Sequence, residues 1–422
     1  MKLIGNITFK GDKSISHRAI MLASICNGES IISNVPDSQD INSTISALRN
    51  CGISIKKDNY QLTIVGNTFK TPKKEINCQN SGTTMRLLSG LLSFKKIKCS
   101  LIGDSSLSRR PMDRIVIPMN ELGVKATSNE GYPPIKLIDF KDTKRDIITI
   151  GLPSAQVKSC IIFSLLGTRK KIKIYEKFKT RNHLELMIES LFKGLITVNE
   201  EYIEINPINS QKMNGFNIEI PGDISSASYF IVAASPINKS RLVISNLLLN
   251  KSRIGIIDTL KKMGANIEIS YDKNTHALNE PTGTVIINGV KTLKAVNISS
   301  DHIPAMIDEI PILSLACAYA EGESVISGLD ELRHKESNRL DGIYNILSSM
   351  GVDVKINKDS IRINGSNKLY NTNQLNNCND HRLAMMISIA QMKENNSIDY
   401  PECINVSFPD FKDILDKVIF YK

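Results

Sequence analysis

Two kinds of hydrophobic segment alternate along the chain. The first is a short apolar helix pattern that ends on glycine and passes at once into the alternating pattern of a strand. It occurs five times, with its glycine at Gly52, Gly123, Gly194, Gly264 and Gly351, at successive spacings of 71, 71, 70 and 87 residues. A glycine just past the last helical residue suits a left-handed C-terminal cap, where a Cβ would clash. Each is therefore expected to close one helix and let a strand begin.

The second kind is a helix that is apolar almost all round, which predicts burial. It is seen six times, beginning near Lys13, Ser81, Ser154, Ser225, Asp308 and Asp380. Each copy enters through small or charged polar residues and runs on into Leu, Ile, Ala and Met. Together the two kinds give six units of about 70 residues, each strand–helix–strand–helix–strands. A chain of 422 residues exceeds one ordinary core, and six units divide naturally into two domains of three. The expected fold class is α/β, or α+β by some schemes. The middle break is expected where Ile218 to Asp223 ends one strand and opens the fourth unit.

Composition adds mainly exclusions. Hydrophobic content of 41% and charged content of 23% are those of a globular chain able to bury sizeable cores. No apolar run approaches the roughly 20 residues that cross a bilayer, and Met1 to Phe9 lacks the features of a signal peptide. A cytoplasmic protein without a membrane partner is expected. The eight cysteines include no C-x-x-C pair and the six histidines no ligand spacing, so buried thiols are expected and no metal. The net charge of +10 invites an anionic partner, although solvated lysines account for it as well. Aromatics are only 5%, Trp is absent and the longest basic run, Thr168 to Lys171, is short, so nucleic acid is not expected.

The candidate chemistry sits at the entrances of the buried helices, whose unpaired N–H groups and partial positive charge favour phosphates and carboxylates. Gly11-Asp-Lys13-Ser14-Ile-Ser-His-Arg18 offers a point charge and a planar fork. It is not a P-loop, because its glycine spacing is one residue too long and Asp12 precedes the lysine. Asn80-Ser-Gly82-Thr-Thr-Met-Arg86 would let a ligand approach the backbone at Gly82, and Arg109-Arg110-Pro111 sets a cation pair before a proline. Ser154-Ala155-Gln156 suits sugar-like hydroxyls, whereas Asp223 to Ser228 reads as a plain cap. Asp308-Glu309 places two carboxylates at one entrance; Lys335 and Arg339 would share a face if helical, and Asp380-His-Arg382 opens the last helix. Taken one at a time, most of these are explained by a capped helix or a solvated charged face.

As a set, from Lys13 to Arg382, they resemble the 5-enolpyruvylshikimate-3-phosphate synthase family. The resemblance is carried also by Leu-Pro-Ser154-Ala-Gln156-Val-Lys-Ser, Gly222-Asp-Ile-Ser-Ser-Ala-Ser, Ile-Asp308-Glu-Ile-Pro, Leu-Arg-His-Lys335-Glu336-Ser-Asn-Arg339 and Asn379-Asp-His-Arg382. The Ser-Ala-Gln and Ile-Asp-Glu-Ile-Pro wording is similar to the second bacterial class. The resemblance implies two domains, each of three βαβαββ units, with helix N-termini facing an interdomain cleft. The expected lobes are residues 1–12 plus 224–422, and residues 13–223. It implies a transferase of aromatic amino acid biosynthesis. This would join the enolpyruvyl group of phosphoenolpyruvate to the 5-hydroxyl of shikimate 3-phosphate through a tetrahedral intermediate, with loss of phosphate and no cofactor, and the expected state is a monomer. Lys13, Ser14, Arg18, Ser154, Ala155, Gln156, Arg181, Asp308 and Lys335 would hold shikimate 3-phosphate. Lys13, Gly82, Arg110, Gln156, Arg339 and Arg382 would hold phosphoenolpyruvate. Asp308, Glu336 and Lys13 would be catalytic: Asp308 for the 5-hydroxyl proton, Glu336 for C3, Lys13 for developing charge. The chain departs from the first class at Val406, Leu87 and Asn338.

Two rivals are weighed against this. A UDP-N-acetylglucosamine enolpyruvyl transferase usually carries a reactive cysteine before its Arg-Pro motif, and the stretch from Gly103 to Arg110 has none. A non-catalytic anion- or RNA-binding protein on the same scaffold would have no need of both Asp308 and Glu336 among its cations.

Overall fold

A computed structural model describes the chain apart from residues 208–212, 274–277, 367, 374 and 421–422. It consists of two compact units. Unit one comprises Met1–Lys10, Pro221–Asn274 and Pro281–Lys422; unit two comprises Gly11–Ile220 and a short return stretch ending at Glu280.

Unit two holds helices α1 (Lys13–Ile25), α2 (Gln39–Asn50), α3 (Gly82–Phe94), α4 (Asp113–Glu121), α5 (Ala155–Leu165) and α6 (His183–Leu191). Unit one holds α7 (Ile224–Ala234), α8 (Gly255–Lys262), α9 (Ile310–Ala318), α10 (Arg339–Ser349), α11 (His381–Lys393) and α12 (Phe411–Val418). The odd-numbered helices are the buried kind. All nine residues of α9 are inaccessible, and only the last of α11's thirteen residues is not buried. The first five even-numbered helices end at the repeat glycines. Those glycines have φ of +87°, +93°, +81°, +89° and +81°, so all five adopt the left-handed conformation expected of them. At Gly52 the cap is a Schellman turn, with Gly52 N–H donating to the Arg49 carbonyl and Ile53 N–H to that of Leu48.

Each helix pair serves a small sheet of one pattern: a parallel pair, then an antiparallel hairpin. In unit two, Ile147–Ile150 lies parallel to Ile172–Glu176, which pairs antiparallel with Tyr202–Ile205 and through it with Ile196–Val198. Ile76–Asn77, Cys99–Ile102, Tyr132–Phe140 and Val124–Asn129 repeat the arrangement. The first sheet takes its leading strand from far along the chain: Asn217–Glu219 runs parallel to Glu29–Ser33. The converse holds in unit one, where Lys2–Ile7 runs parallel to Arg241–Leu248. The chain therefore passes between units at Lys10/Gly11 and Ile220/Pro221, and the short stretch ending at Glu280 belongs to unit two once more. The sixth repeat is abbreviated among the described residues: α12 leads to Ile419–Phe420, which pairs antiparallel with Lys2 and Leu3 and adds a fifth strand to that sheet.

Both cores are built on the odd helices. In unit two, α3 and α5 approach so closely at Gly90 that an added Cβ would stand 2.2 Å from the Cys160 carbonyl oxygen. In unit one, Phe9, Phe230, Phe408 and Phe411 stack edge-on at centroid distances of 5.3 to 6.2 Å. No helix among the described residues is long and apolar enough to cross a membrane. All eight cysteines are free thiols; six are buried as expected, but Cys99 is half-buried and Cys378 exposed.

Candidate active site

The candidate residues fall into two groups, one in each unit. In unit two they stand at the entrances of α1, α3 and α5. Fully buried Asp12 caps α1 by accepting from Ile15 N–H at 2.9 Å, which makes Lys13 the first helical residue. Lys13 Nζ reaches Asp40 Oδ2 at 2.7 Å, so a residue of α2 sets where the ammonium stands. Arg18, one turn on, donates to the Ser14 carbonyl at 2.8 Å and, through Nε and Nη2, to Ser159 Oγ at 3.2 and 2.8 Å. Ser14 itself is half-buried.

Ser81 caps α3 and Gly82 is its first residue. A Cβ on Gly82 would come 3.3 Å from Arg86 Nη1 and 3.4 Å from Arg110 Nη1, so two buried guanidinium groups converge where there is no side chain. Arg110 Nη2 donates to Asn80 Oδ1 at 2.6 Å and Ser106 Oγ at 3.2 Å. Arg86 Nη1 donates to Gln156 Oε1 at 2.6 Å, and Gln156 Nε2 to Thr83 Oγ1 at 2.9 Å. The expected Arg109–Arg110 pair separates: Arg109 is exposed while Arg110 is buried, because the 3-10 turn Leu107–Arg109 points successive residues in different directions.

At the third entrance Ser154 caps α5 through Val157 N–H at 3.4 Å, with Ala155 and Gln156 half-buried in the first turn. Below them Lys158, inaccessible to solvent, lies 3.0 Å from Glu176 and 2.6 Å from Glu185 and donates to the Thr180 carbonyl at 3.3 Å. The buried cation pairs with both carboxylates and anchors the stretch that leads to half-buried Arg181.

Unit one gathers three cations and several carboxylates at the entrances of α9, α10 and α11. Asp308, in the 3-10 turn just before α9, receives Lys335 Nζ at 3.2 Å and has Arg339 Nη1 at 3.7 Å. Its carbonyl accepts from Arg382 Nη1 at 2.8 Å. Glu336 pairs with Arg339 Nη2 at 2.5 Å. Lys335 and Arg339 do not share a helical face: α10 starts only at Arg339, capped by Asn338 through Asp341 N–H at 3.3 Å. The turn Asp330–His334 and an extended Lys335 bring the lysine to Asp308 instead. Asn338 thus acts as the cap, while Arg339 is held by other residues.

Asp380 is the principal one. It is buried, takes Arg339 Nε at 2.9 Å and Ser337 Oγ at 3.0 Å, and caps α11 through Arg382 N–H at 2.9 Å. Burial works against its ionised form, but the Arg339 guanidinium outweighs this and holds the carboxyl below its ordinary range. Burial likewise opposes charge on Arg339 and Arg382. Asp380 and Glu336 beside the first, and Asp308 beside the second, keep both more firmly protonated than usual. Glu309, the other half of the expected carboxylate pair, turns inward to Ser225 Oγ and, at 3.8 Å, to Arg382. Asp223 is the plain cap anticipated for α7, accepting from Ser225 N–H at 2.6 Å.

Comparison with known proteins gives one answer along the whole chain. A sequence model of the family described as EPSP synthase (3-phosphoshikimate 1-carboxyvinyltransferase) matches residues 1–415. The chain belongs to the EPSP synthase family. A 3-phosphoshikimate 1-carboxyvinyltransferase of Oenococcus oeni is 41% identical, over 99% of this chain and 96% of the relative, and one of Petrotoga mobilis is 38% identical over 98% and 96%. The solved EPSP synthase of Acinetobacter baumannii superposes with a TM-score of 0.83 at 33% identity, covering 99% of this chain and 96% of that one. The enolpyruvyl transferase NikO of Streptomyces tendae shares the fold, with a TM-score of 0.74 at 15% identity, over 99% and 95%. The two-domain α/β architecture anticipated from the repeats is that of this family.

Sequence reasoning gave no role to Asp40, Arg86 or Asp380. Arg86 stood inside a quoted motif, and its position one helical turn beyond Gly82 was the available signal. In an EPSP synthase with this arrangement, Gly82→Ala should press on both guanidinium groups and raise KM for phosphoenolpyruvate about tenfold, roughly 1.4 kcal/mol. Thermal stability should hold, because alanine is the better helix former. Steady-state kinetics checks this, and an unchanged KM would place the ligand elsewhere.

Proposed function

We propose that this chain transfers the enolpyruvyl group of phosphoenolpyruvate to the 5-hydroxyl of shikimate 3-phosphate. The observation that supports it best is the cluster in unit one. Lys335, Arg339 and Arg382 surround Asp308 and Glu336, so anion-binding cations and proton-transferring acids occupy one place. Membership of the EPSP synthase family gives the reaction class.

In this reading Asp308 accepts the proton of the 5-hydroxyl as its oxygen bonds to C2 of phosphoenolpyruvate, while Glu336 delivers a proton to C3. The tetrahedral intermediate then returns a proton from the new methyl group to Glu336. The C2–O bond to phosphate breaks, the proton held by Asp308 leaves with the phosphate, and the enol ether and inorganic phosphate are released. Lys335 at 3.2 Å fixes the orientation of the Asp308 carboxylate for accepting the 5-hydroxyl proton. Lys13 offsets charge that develops on the phosphate side. Gly82, Arg110, Gln156, Arg339 and Arg382 take phosphoenolpyruvate with Lys13; Ser14, Arg18, Ser154, Ala155, Arg181 and Lys335 take shikimate 3-phosphate with Lys13, Gln156 and Asp308. The arginines supply the forked donors that carboxylates and phosphates accept in pairs.

Purified protein given both substrates should release inorganic phosphate, and should not do so when UDP-N-acetylglucosamine replaces shikimate 3-phosphate. Release with the nucleotide sugar alone would overturn the proposal.

A further inference from the structure

One buried polar chain in unit two plays no part in the reaction as proposed. His17, on α1, is inaccessible to solvent, and its Nδ1 lies 2.7 Å from Thr44 Oγ1 of α2. Thr44 Oγ1 lies 2.7 Å from Thr84 Oγ1 of α3, and the Thr84 hydroxyl donates to Ser81 Oγ at 2.8 Å. Four side chains from three helices thus run in single file to the cap of α3, where Gly82, Arg86 and Arg110 converge. All four are buried, so their hydrogen bonds are not exchanged for water and each is costly to lose.

The chain has a direction. Each hydroxyl carries one hydrogen. That of Thr84 goes to Ser81, its other acceptor being the Asp40 carbonyl at 3.4 Å, so Thr84 must receive from Thr44. Thr44, having donated, must receive from His17. Nδ1 then carries the imidazole hydrogen and Nε2 is the bare nitrogen, which agrees with Nε2 having no hydrogen-bond partner among the described residues. At the far end Ser81 Oγ accepts both from the Thr84 hydroxyl and from Thr84 N–H at 3.2 Å, so its own hydrogen is left for the entrance of α3.

We propose that His17 is a positioning residue for the phosphoenolpyruvate subsite, acting through Thr44, Thr84 and Ser81 on the first turn of α3. This rests on Gly82 and Arg110 being phosphoenolpyruvate ligands. The relay needs the hydrogen on Nδ1, and with Nε2 unpartnered among the described residues the ring is the neutral Nδ1–H tautomer. Burial depresses the His17 pKa to about 3, with Lys13 and Arg18 adding to that effect and Asp40 and Asp12 opposing it, so the ring stays uncharged throughout the physiological range.

The test uses three variants of the full chain. His17→Phe removes the donor at similar size, Thr44→Val breaks the second link, and His17→Asn restores a donor near the position of Nδ1. The first two should each raise KM for phosphoenolpyruvate up to about tenfold, leaving kcat and KM for shikimate 3-phosphate within about twofold; His17→Asn should recover most of the loss. An unchanged KM for phosphoenolpyruvate, or an equal rise for both substrates, overturns the relay. A second readout does not depend on catalysis. Nitrogen-15 chemical shifts of His17 in the wild-type protein should report the Nδ1–H tautomer, unchanged between pH 8 and pH 5. An Nε2–H tautomer, or titration in that range, would sink the relay even if the enzyme proved active, whereas inactivity with the expected tautomer would fault only the assigned reaction.

Discussion

Glu336→Gln should lower kcat for phosphate release by about 10²- to 10⁴-fold, the usual contribution of a positioned proton donor, with little change in either KM. Glutamine keeps the oxygen that Arg339 holds at 2.5 Å and loses only the ability to exchange a proton. Binding and proton transfer are therefore separated in one substitution. The measurement is steady-state kinetics with each substrate varied, together with calorimetric titration of shikimate 3-phosphate to show that binding persists. Turnover at the wild-type rate would remove Glu336 from the mechanism. A loss of binding equal to the loss of turnover would make it a structural partner of Arg339 instead.

The largest expected effect on stability lies at Asp380. Replacing it by alanine strips inaccessible Arg339 of its contacts at 2.9 and 3.3 Å and removes the cap of α11. Breaking a buried ion pair from one side costs about 3–5 kcal/mol, of which Glu336 at 2.5 Å and Asp308 at 3.7 Å offset a part for Arg339. Asp380→Ala should therefore unfold at markedly lower urea concentration by circular dichroism, and its unit-one transition should separate from that of unit two. The pH dependence has a definite sign. The folded-state pKa of Asp380 is depressed below an unfolded value near roughly 3.9. Its stabilisation is complete above that value and drains away as pH falls through the lower folded pKa. The wild-type protein should lose this component of stability in acid and the variant should have none to lose. An alanine variant as stable as the wild type at neutral pH would show that Glu336 and Asp308 suffice to compensate Arg339.

These residues mark where sequence reasoning reached and where it stopped. The repeat glycines and the Asp223 cap were legible because each answers a demand set within a few residues: a left-handed turn, or an unpaired N–H at a helix start. The buried helices were legible because a segment apolar on every side can be satisfied only in a core. The residues proposed for catalysis and binding were named from the resemblance of whole motifs, since no single motif could be told from a capped, solvated helix.

The partners of those residues came from the tertiary structure. Arg18 finds Ser159 at 141 residues' distance, Arg86 finds Gln156 at 70, and Arg339 finds Asp380 at 41. Nothing local distinguishes these pairs from alternatives, because an ion pair or hydrogen bond depends on where the backbone brings its two ends. The same reason explains why Arg109 and Arg110 differ so sharply in burial and why Lys2–Ile7 joins Arg241–Leu248, not a nearer strand. By itself the sequence determined the repeating helix and strand pattern and the helix ends that the glycines mark. Which charges neutralise one another, and hence which remain to act on a substrate, was decided only by packing, since burial makes each pairing obligatory.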